Sequence, residues 1–213
     1  WLNDVVRVRN TQRTHQDYST ILRCHIGPQI GRQLISKLTT SDVERLQAEL
    51  LASGLSANTV RHVHVVLSKA LKDAMKKGIV HTNVCQLVEP PKVPRYEVNP
   101  PSIQTIQKIL KGASESPYYP VYHLLAYTGM RRGEVLALKW ANVDLGNKLI
   151  SIVETAQRVP GKGILFFPPK SAAGRRGISI DKGTASILFK HRSEQSEQRL
   201  KLGDLYNSND LVF

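Results

Sequence analysis

Thr128-Gly129-Met130-Arg131-Arg132-Gly133-Glu134-Val135-Leu136-Ala137-Leu138-Lys139-Trp140 is the stretch from which the rest of the chain can be read. Gly129 reads as a turn, and Arg131 follows it at the start of a short helix. Val135, Leu136 and Leu138 are the apolar residues that would anchor this helix in a core. An arginine at a helix N-terminus is electrostatically awkward, because the helix dipole already places partial positive charge there. The arrangement makes sense if an anion docks at the spot, where free backbone N–H groups and a guanidinium fork converge. In a chain this basic, a nucleic-acid phosphate is the anion to expect.

The charge supports that expectation. Lys and Arg number 30 against 17 Asp and Glu, a net +13, which argues for a polyanionic partner and says nothing about fold. Residues 1–92 carry 13 basic and 7 acidic side chains, and residues 93–213 carry 17 and 10. Two basic bodies facing one polyanion fit so even a division better than a basic tail does. A membrane is a poorer partner, since no apolar run is long enough to span one and no signal peptide opens the chain. Cys24 and Cys85 lie far apart and, like the seven histidines, show no metal-ligand spacing. They read as free thiols in a reducing, cytoplasmic compartment. Trp1 in place of an initiator Met and the apolar ending Leu211-Val212-Phe213 read as the cut ends of a longer protein.

Upstream of the central stretch the pattern is helical. Thr14 to Ile26 has apolar residues at helical spacing and is expected to end at Gly27-Pro28. Ser41-Asp42-Val43-Glu44 reads as a capping box ahead of Leu46, Leu50 and Leu51, with Gly54 as the stop. Ser56 opens a helix with the stripe Val60, Val63, Leu67, Ala70, Leu71 and Ala74, closed by Gly78. A short helix over 83–88 completes a small bundle. Pro90-Pro91-Lys92-Val93-Pro94 reads as a stiff linker. Beyond it, Ile103, Ile106, Ile109 and Leu110 mark one helix and Val121 to Tyr127 another. After Asp144 the period changes to two, giving strands over 149–153, 163–167 and 177–180. Thr184 to Leu202 returns to helix. The fold class is therefore α+β, mainly helical: a helical bundle over 1–92, a linker over 93–100, and over 101–213 an α+β unit with a three-stranded antiparallel sheet.

The pattern Thr-Gly-x-Arg-x-x-Glu, then Leu-x-Trp-x-x-Val-Asp, is carried by Thr128, Gly129, Arg131, Glu134, Leu138, Trp140, Val143 and Asp144. It resembles the first active-site box of the tyrosine recombinases, the phage-integrase family. A second run, Pro169, Lys170 and Ser171 followed by Arg175, Arg176 and Ile178, is similar to the family's strand-borne lysine motif. The resemblance implies a core-binding domain of the SAM-like type over 1–92 and the first part of the catalytic domain over 101–213. It implies that Arg131 and Lys170 are catalytic and converge on one backbone phosphodiester, with Glu134 orienting Arg131. Arg175 and Arg176 are expected at the DNA without a catalytic role. Arg61, Lys69, Lys72 and Lys76, on the helix that Ser56 opens, are expected to contact phosphates.

The activity so implied is site-specific recombination of double-stranded DNA through a phosphotyrosyl link, with other protomers assembling on the DNA. It needs no cofactor and no metal, since arginines neutralise the phosphate and the covalent link conserves its bond energy. No His is followed by Arg three positions on, so the family's His-x-x-Arg box is not in the chain, and Tyr206 precedes the region of the nucleophile. A non-catalytic DNA-binding module and a helical transcription regulator are the alternatives. The first is the behaviour expected of residues 1–213 tested in isolation; under the second, the Arg131 box and Lys170 have no purpose.

Overall fold

The computed structural model describes residues 1–213 except Pro160, Lys170, Asn207 and Ser208. The chain divides into two compact units, Trp1–Val98 and Asn99–Phe213.

In the first unit, helix α1 (Gln12–Ile21) starts at Thr11, whose hydroxyl accepts the Thr14 N–H. Gly27-Pro28 does not end the coil, contrary to expectation. A wide π-type turn, Leu22–Ile26, leads into a further helical turn, Gly27–Ile30. Proline costs little there, because a first-turn N–H has no intrahelical partner to lose. Helix α2 (Thr40–Ala52) has its N-cap two residues earlier than the expected box, at Thr39 in place of Ser41. Asp42, not Glu44, closes the box, because its carboxylate accepts the Thr39 N–H at 3.0 Å and the Thr39 hydroxyl at 2.7 Å. These bonds, with those from Gln33 and Arg45, hold the Asp42 carboxyl well below the ordinary carboxylate range.

Helix α3 (Ala57–Lys76) opens at Ser56 as read, and Gly78 follows it in the left-handed region at φ +71°. Val60, Val63, Leu67 and Leu71 of α3 share one core with Val43, Leu46 and Leu50 of α2 and with Ile21 and Ile26. Each such side chain, fully buried, stabilises the unit by about 1.5–3 kcal/mol. The helix read over 83–88 is a single 3-10 turn, Val84–Leu87. The sequence reading passes over Leu2–Arg9, which is also helical. Its anchor is long-range: the Trp1 indole donates to Asp73 at 2.7 Å and stacks on Tyr18.

In the second unit, Ser102 caps helix α4 (Ile103–Gly112), of whose apolar stripe only Leu110 is buried. Helix α5 (Tyr119–Thr128) ends at Gly129, whose φ of +62° is the left-handed conformation that favours glycine. Helix α6 (Arg132–Leu136) follows at once. Val135 and Leu138 are buried as expected, but Leu136 is 41% exposed. One residue past Val135 on a helix points about 100° away, so the two cannot face the same core.

The strands β1 (Val143–Asp144), β2 (Leu149–Ile152) and β5 (Arg176–Ser179) form a three-stranded antiparallel sheet. All three predicted strands form. However, β4 (Gly163–Phe167) lies outside that sheet and pairs with β3 (Thr155–Val159), a strand absent from the sequence reading. β3 does not alternate cleanly between buried and exposed, so no period-two signal marks it. Lys139 ties the hairpin to the chain after α6 by pairing with Glu154 at 2.7 Å and lying over the Phe166 ring.

Helix α7 (Lys182–Leu202) starts at Asp181, whose carboxylate accepts the Thr184 N–H. Its Leu188 joins Leu124, Val135, Ile150 and Val212 in the second core. His123 of α5 and Thr184 of α7 are linked by a 3.0 Å hydrogen bond inside it. Among the described residues, no helix is long and apolar enough to cross a membrane.

Candidate active site

Arg131 occupies the N-cap position of α6 in extended backbone, φ −71° and ψ 148°. The anion that this helix start demands is already inside the molecule. Glu134, one turn on, accepts the Arg131 backbone N–H at 2.8 Å through Oε2 and the Arg131 guanidinium at 2.9 Å through Oε1. This corrects the expectation that free backbone N–H groups await an outside phosphate. The Arg131 N–H is spent on Glu134, and the guanidinium is what faces outward, with 78% of its side chain exposed.

Arg176 completes the cluster. From the first position of β5 it grips Glu134 with two parallel bonds, Nη1 to Oε1 at 3.0 Å and Nη2 to Oε2 at 2.8 Å. This is the fork-to-carboxylate geometry that only arginine provides. Glu134 is 5% exposed, and its desolvation would raise its pKa. The Arg176 fork outweighs that, and with the two Arg131 bonds holds the carboxyl down at about 2. One buried carboxylate thus serves two guanidinium groups, and a net positive charge is left at the surface.

The two arginines open on a shared hollow of about 410 Å³, whose remaining walls are Gly129, Ser171, Ala173 and Gly174. Cationic donors on one wall and a small-residue loop on the other suit a compact anion with little side-chain bulk in its way. Lys170 itself lies outside the described residues. Arg175 is exposed and takes no part in the Glu134 cluster, whereas its neighbour Arg176 is the partner that the sequence reading did not single out. A signal for it existed. Residues 176, 178 and 180 share one face of the strand, and Ile178 and Ile180 pack on the core, so alternation assigns Arg176 inward and Arg175 outward.

A second basic feature lies in the first unit. Arg61, Lys69 and Lys72 of α3 line one hollow of about 490 Å³ together with His64, Ser68, Gln86 and Pro90. Lys69 is held there by the Tyr18 hydroxyl at 3.3 Å. Lys76 is exposed near the end of α3 and does not line this hollow. Tyr206 is half-buried in a separate hollow of about 290 Å³ with Trp140, Arg192 and Arg199, sharing no wall with the one at Arg131.

No family model matches the chain. Among curated proteins, an integrase of Saccharopolyspora erythraea is 26% identical over 266 residues, covering 100% of this chain and 61% of the relative. A tyrosine recombinase XerC-like protein of Caldanaerobacter subterraneus subsp. tengcongensis is 27% identical, covering 97% of this chain and 56% of the relative. The chain therefore spans a little over half the length of these relatives. Among solved structures, the Tn1549 transposon integrase in complex with transposon right end DNA superposes with a TM-score of 0.81 at 19% identity, covering 97% of this chain and 67% of that one. A lambda integrase dimer bound to a COC′ core site gives a TM-score of 0.66 at 16% identity, covering 99% of this chain and 54% of that one. These two likenesses concern the fold.

Proposed function

The chain belongs to the tyrosine recombinase family, and from that premise we propose that it is the DNA-gripping part, with a share of the active site, of an enzyme that cuts and rejoins duplex DNA at specific sites. The observation that carries this reading is the Arg131–Glu134–Arg176 cluster beside a hollow walled by Ser171, Ala173 and Gly174. In the reaction, a tyrosine from the remainder of a longer protein attacks a backbone phosphorus. The bond from phosphorus to the 5′ oxygen breaks as the tyrosyl bond forms. The phenolic proton passes to solvent water, and the 5′ oxygen gains a proton from Lys170. A lysine suits that step, because an ammonium out of bulk water can lower its pKa toward neutrality.

Arg131 neutralises the charge that builds on the non-bridging oxygens, a contribution of about 3 kcal/mol for one such contact. Glu134 and Arg176 hold the Arg131 turn and do not take part in proton transfer. The Glu134 carboxyl, held at about 2, is a poor base near neutrality. Residues 1–92 act as the core-binding domain, in which Arg61, Lys69 and Lys72 neutralise phosphates, with Lys76 on the same helix. Residues 93–100 are the linker, and residues 101–213 the first part of the catalytic domain, where Arg175 meets the backbone. Duplex DNA in the cytoplasm is the partner, and further protomers assemble on it. Neither a metal ion nor a nucleotide enters the scheme.

The likeness of the α+β unit to integrases solved on DNA supports this reading over a helical regulator. The test uses residues 1–213 alone. They are expected to retard duplex DNA with an affinity that falls steeply with salt, and to form no denaturant-resistant adduct on a nicked duplex. Absence of duplex binding at low salt, or an adduct through Tyr206, would overturn the reading.

A further inference from the structure

Helix α3 has one face that its bundle does not cover. Arg61, Val65, Lys69 and Lys72 follow one another along it, and all four line the hollow of about 490 Å³. Residues three and four apart on a helix are neighbours on one face. Arg61, Lys69 and Lys72 are exposed cations. Val65 stands among them with 49% of its surface exposed.

The other two α3 side chains that line the hollow are already engaged. His64 is buried, and its ring is hydrogen-bonded to Gln47 at 2.9 Å. The Ser68 hydroxyl accepts from the Asn83 amide at 3.1 Å. The outward chemistry of α3 at the hollow is therefore three cations and one isopropyl group.

The cations and the valine suit different parts of a duplex. An ammonium or guanidinium on a long stem reaches out to phosphates. Val65 is short, and its χ1 is nearly fixed in a helix, so it touches only what the helix face is laid against. A phosphate offers an isopropyl group nothing. The major groove of B-DNA admits an α-helix, and the apolar group displayed on its base edges is the C5-methyl of thymine. Arg61 and Lys69 lie about 6 Å along the axis on either side of Val65. Their attraction to phosphates draws the face between them onto the bases.

We propose that Val65 is a base-reading residue: while its neighbouring cations hold α3 to the phosphates, the Val65 methyl groups pack on the C5-methyl group of one thymine in the major groove. The proposal rests on the reading of α3 as a helix that contacts duplex DNA. It gives the cations affinity and salt dependence, and gives Val65 a choice of sequence.

The experiment uses residues 1–213 and a duplex selected from a random-sequence library by its binding to them. Each thymine of that duplex is replaced in turn by uracil, which keeps every hydrogen-bonding group and lacks only the methyl. Affinities are measured for the unmodified chain, Val65→Ala and Val65→Ser. At one position the unmodified chain is expected to bind the uracil duplex about 4-fold more weakly, the effect of one methyl group left unburied. At that position both variants are expected to distinguish thymine from uracil by less than about 2-fold. Their slope of log affinity against log salt is expected to match the unmodified chain, because no phosphate contact is lost.

A selected duplex in which no thymine is sensitive to uracil overturns the inference. So does a variant that keeps the full uracil penalty, or one whose salt slope falls. Absence of duplex binding by the unmodified chain removes the DNA-binding reading itself, and the inference with it. Val65 is half exposed and alanine is the better helix former, so Val65→Ala should keep the bundle folded, as a thermal melt will show. If one variant unfolds, the other carries the comparison. If both unfold, Val65 is a requirement of folding and the base-reading role is refuted.

Discussion

Replacing Glu134 by Gln keeps its shape and removes the charge that Arg131 and Arg176 share. Arg131 and Arg176 keep 78% and 32% of their side chains exposed, so the guanidinium groups left behind stay hydrated, and the loss is that of charge-assisted hydrogen bonds, about 1.5–3 kcal/mol. Chemical denaturation of residues 1–213 should show a loss of this order in the second unit, and an unchanged midpoint would contradict the charge-sharing account. The same group sets a pH dependence. Its carboxyl titrates near 4.5 when unfolded and about 2 when folded. A depressed folded value stabilises above the unfolded one, so the contribution is complete above about pH 4.5 and disappears as pH falls toward 2. Glu134→Gln should therefore be less acid-sensitive than the unmodified chain across that window. Arg131 and Glu134 were both legible in the sequence, because their spacing on one helical turn is local. The partner across the sheet was not singled out, since it comes from 42 residues away, although strand alternation pointed at it.

At the scale of elements, caps and stripes carried most of the sequence's information, and its errors have physical causes. Ser41 and Glu44 satisfy the capping-box spacing as well as Thr39 and Asp42 do. The second pair wins because Gln33 and Arg45 also converge on Asp42. Thr39→Ala should then destabilise the first unit by about 1 kcal/mol, whereas Ser41→Ala should stay within about 0.5 kcal/mol. Comparable thermal shifts for the two would restore the original box. Helix α6 offers a parallel contrast. Val135 is fully buried and Leu136 is 41% exposed. Val135→Ala should cost about 1–3 kcal/mol and Leu136→Ser about 0.5 kcal/mol or less, and the reverse order would mean the helix is rotated. Strand β4 was read, but β3 and its pairing with β4 escaped notice because the contacts at that end of the hairpin, Gly133 against Thr155 and Lys139 with Glu154, are invisible to periodicity.

For the whole molecule, charge is the property that sequence states most plainly, and its nearly equal division between the two halves is what the proposed grip of both on one duplex draws on. If Lys72 neutralises one phosphate, Lys72→Ala should lower the slope of log affinity against log salt by about 1, whatever the duplex sequence. An unchanged slope would remove α3 from the interface. The decisive test of the account is made on the full-length protein with Arg131→Ala, comparing denaturant-resistant DNA adduct with reversible duplex binding under the same conditions. The account predicts that the adduct is lost while duplex affinity stays within a few-fold of the unmodified protein. An Arg131→Ala protein that still forms the adduct at full rate would contradict it.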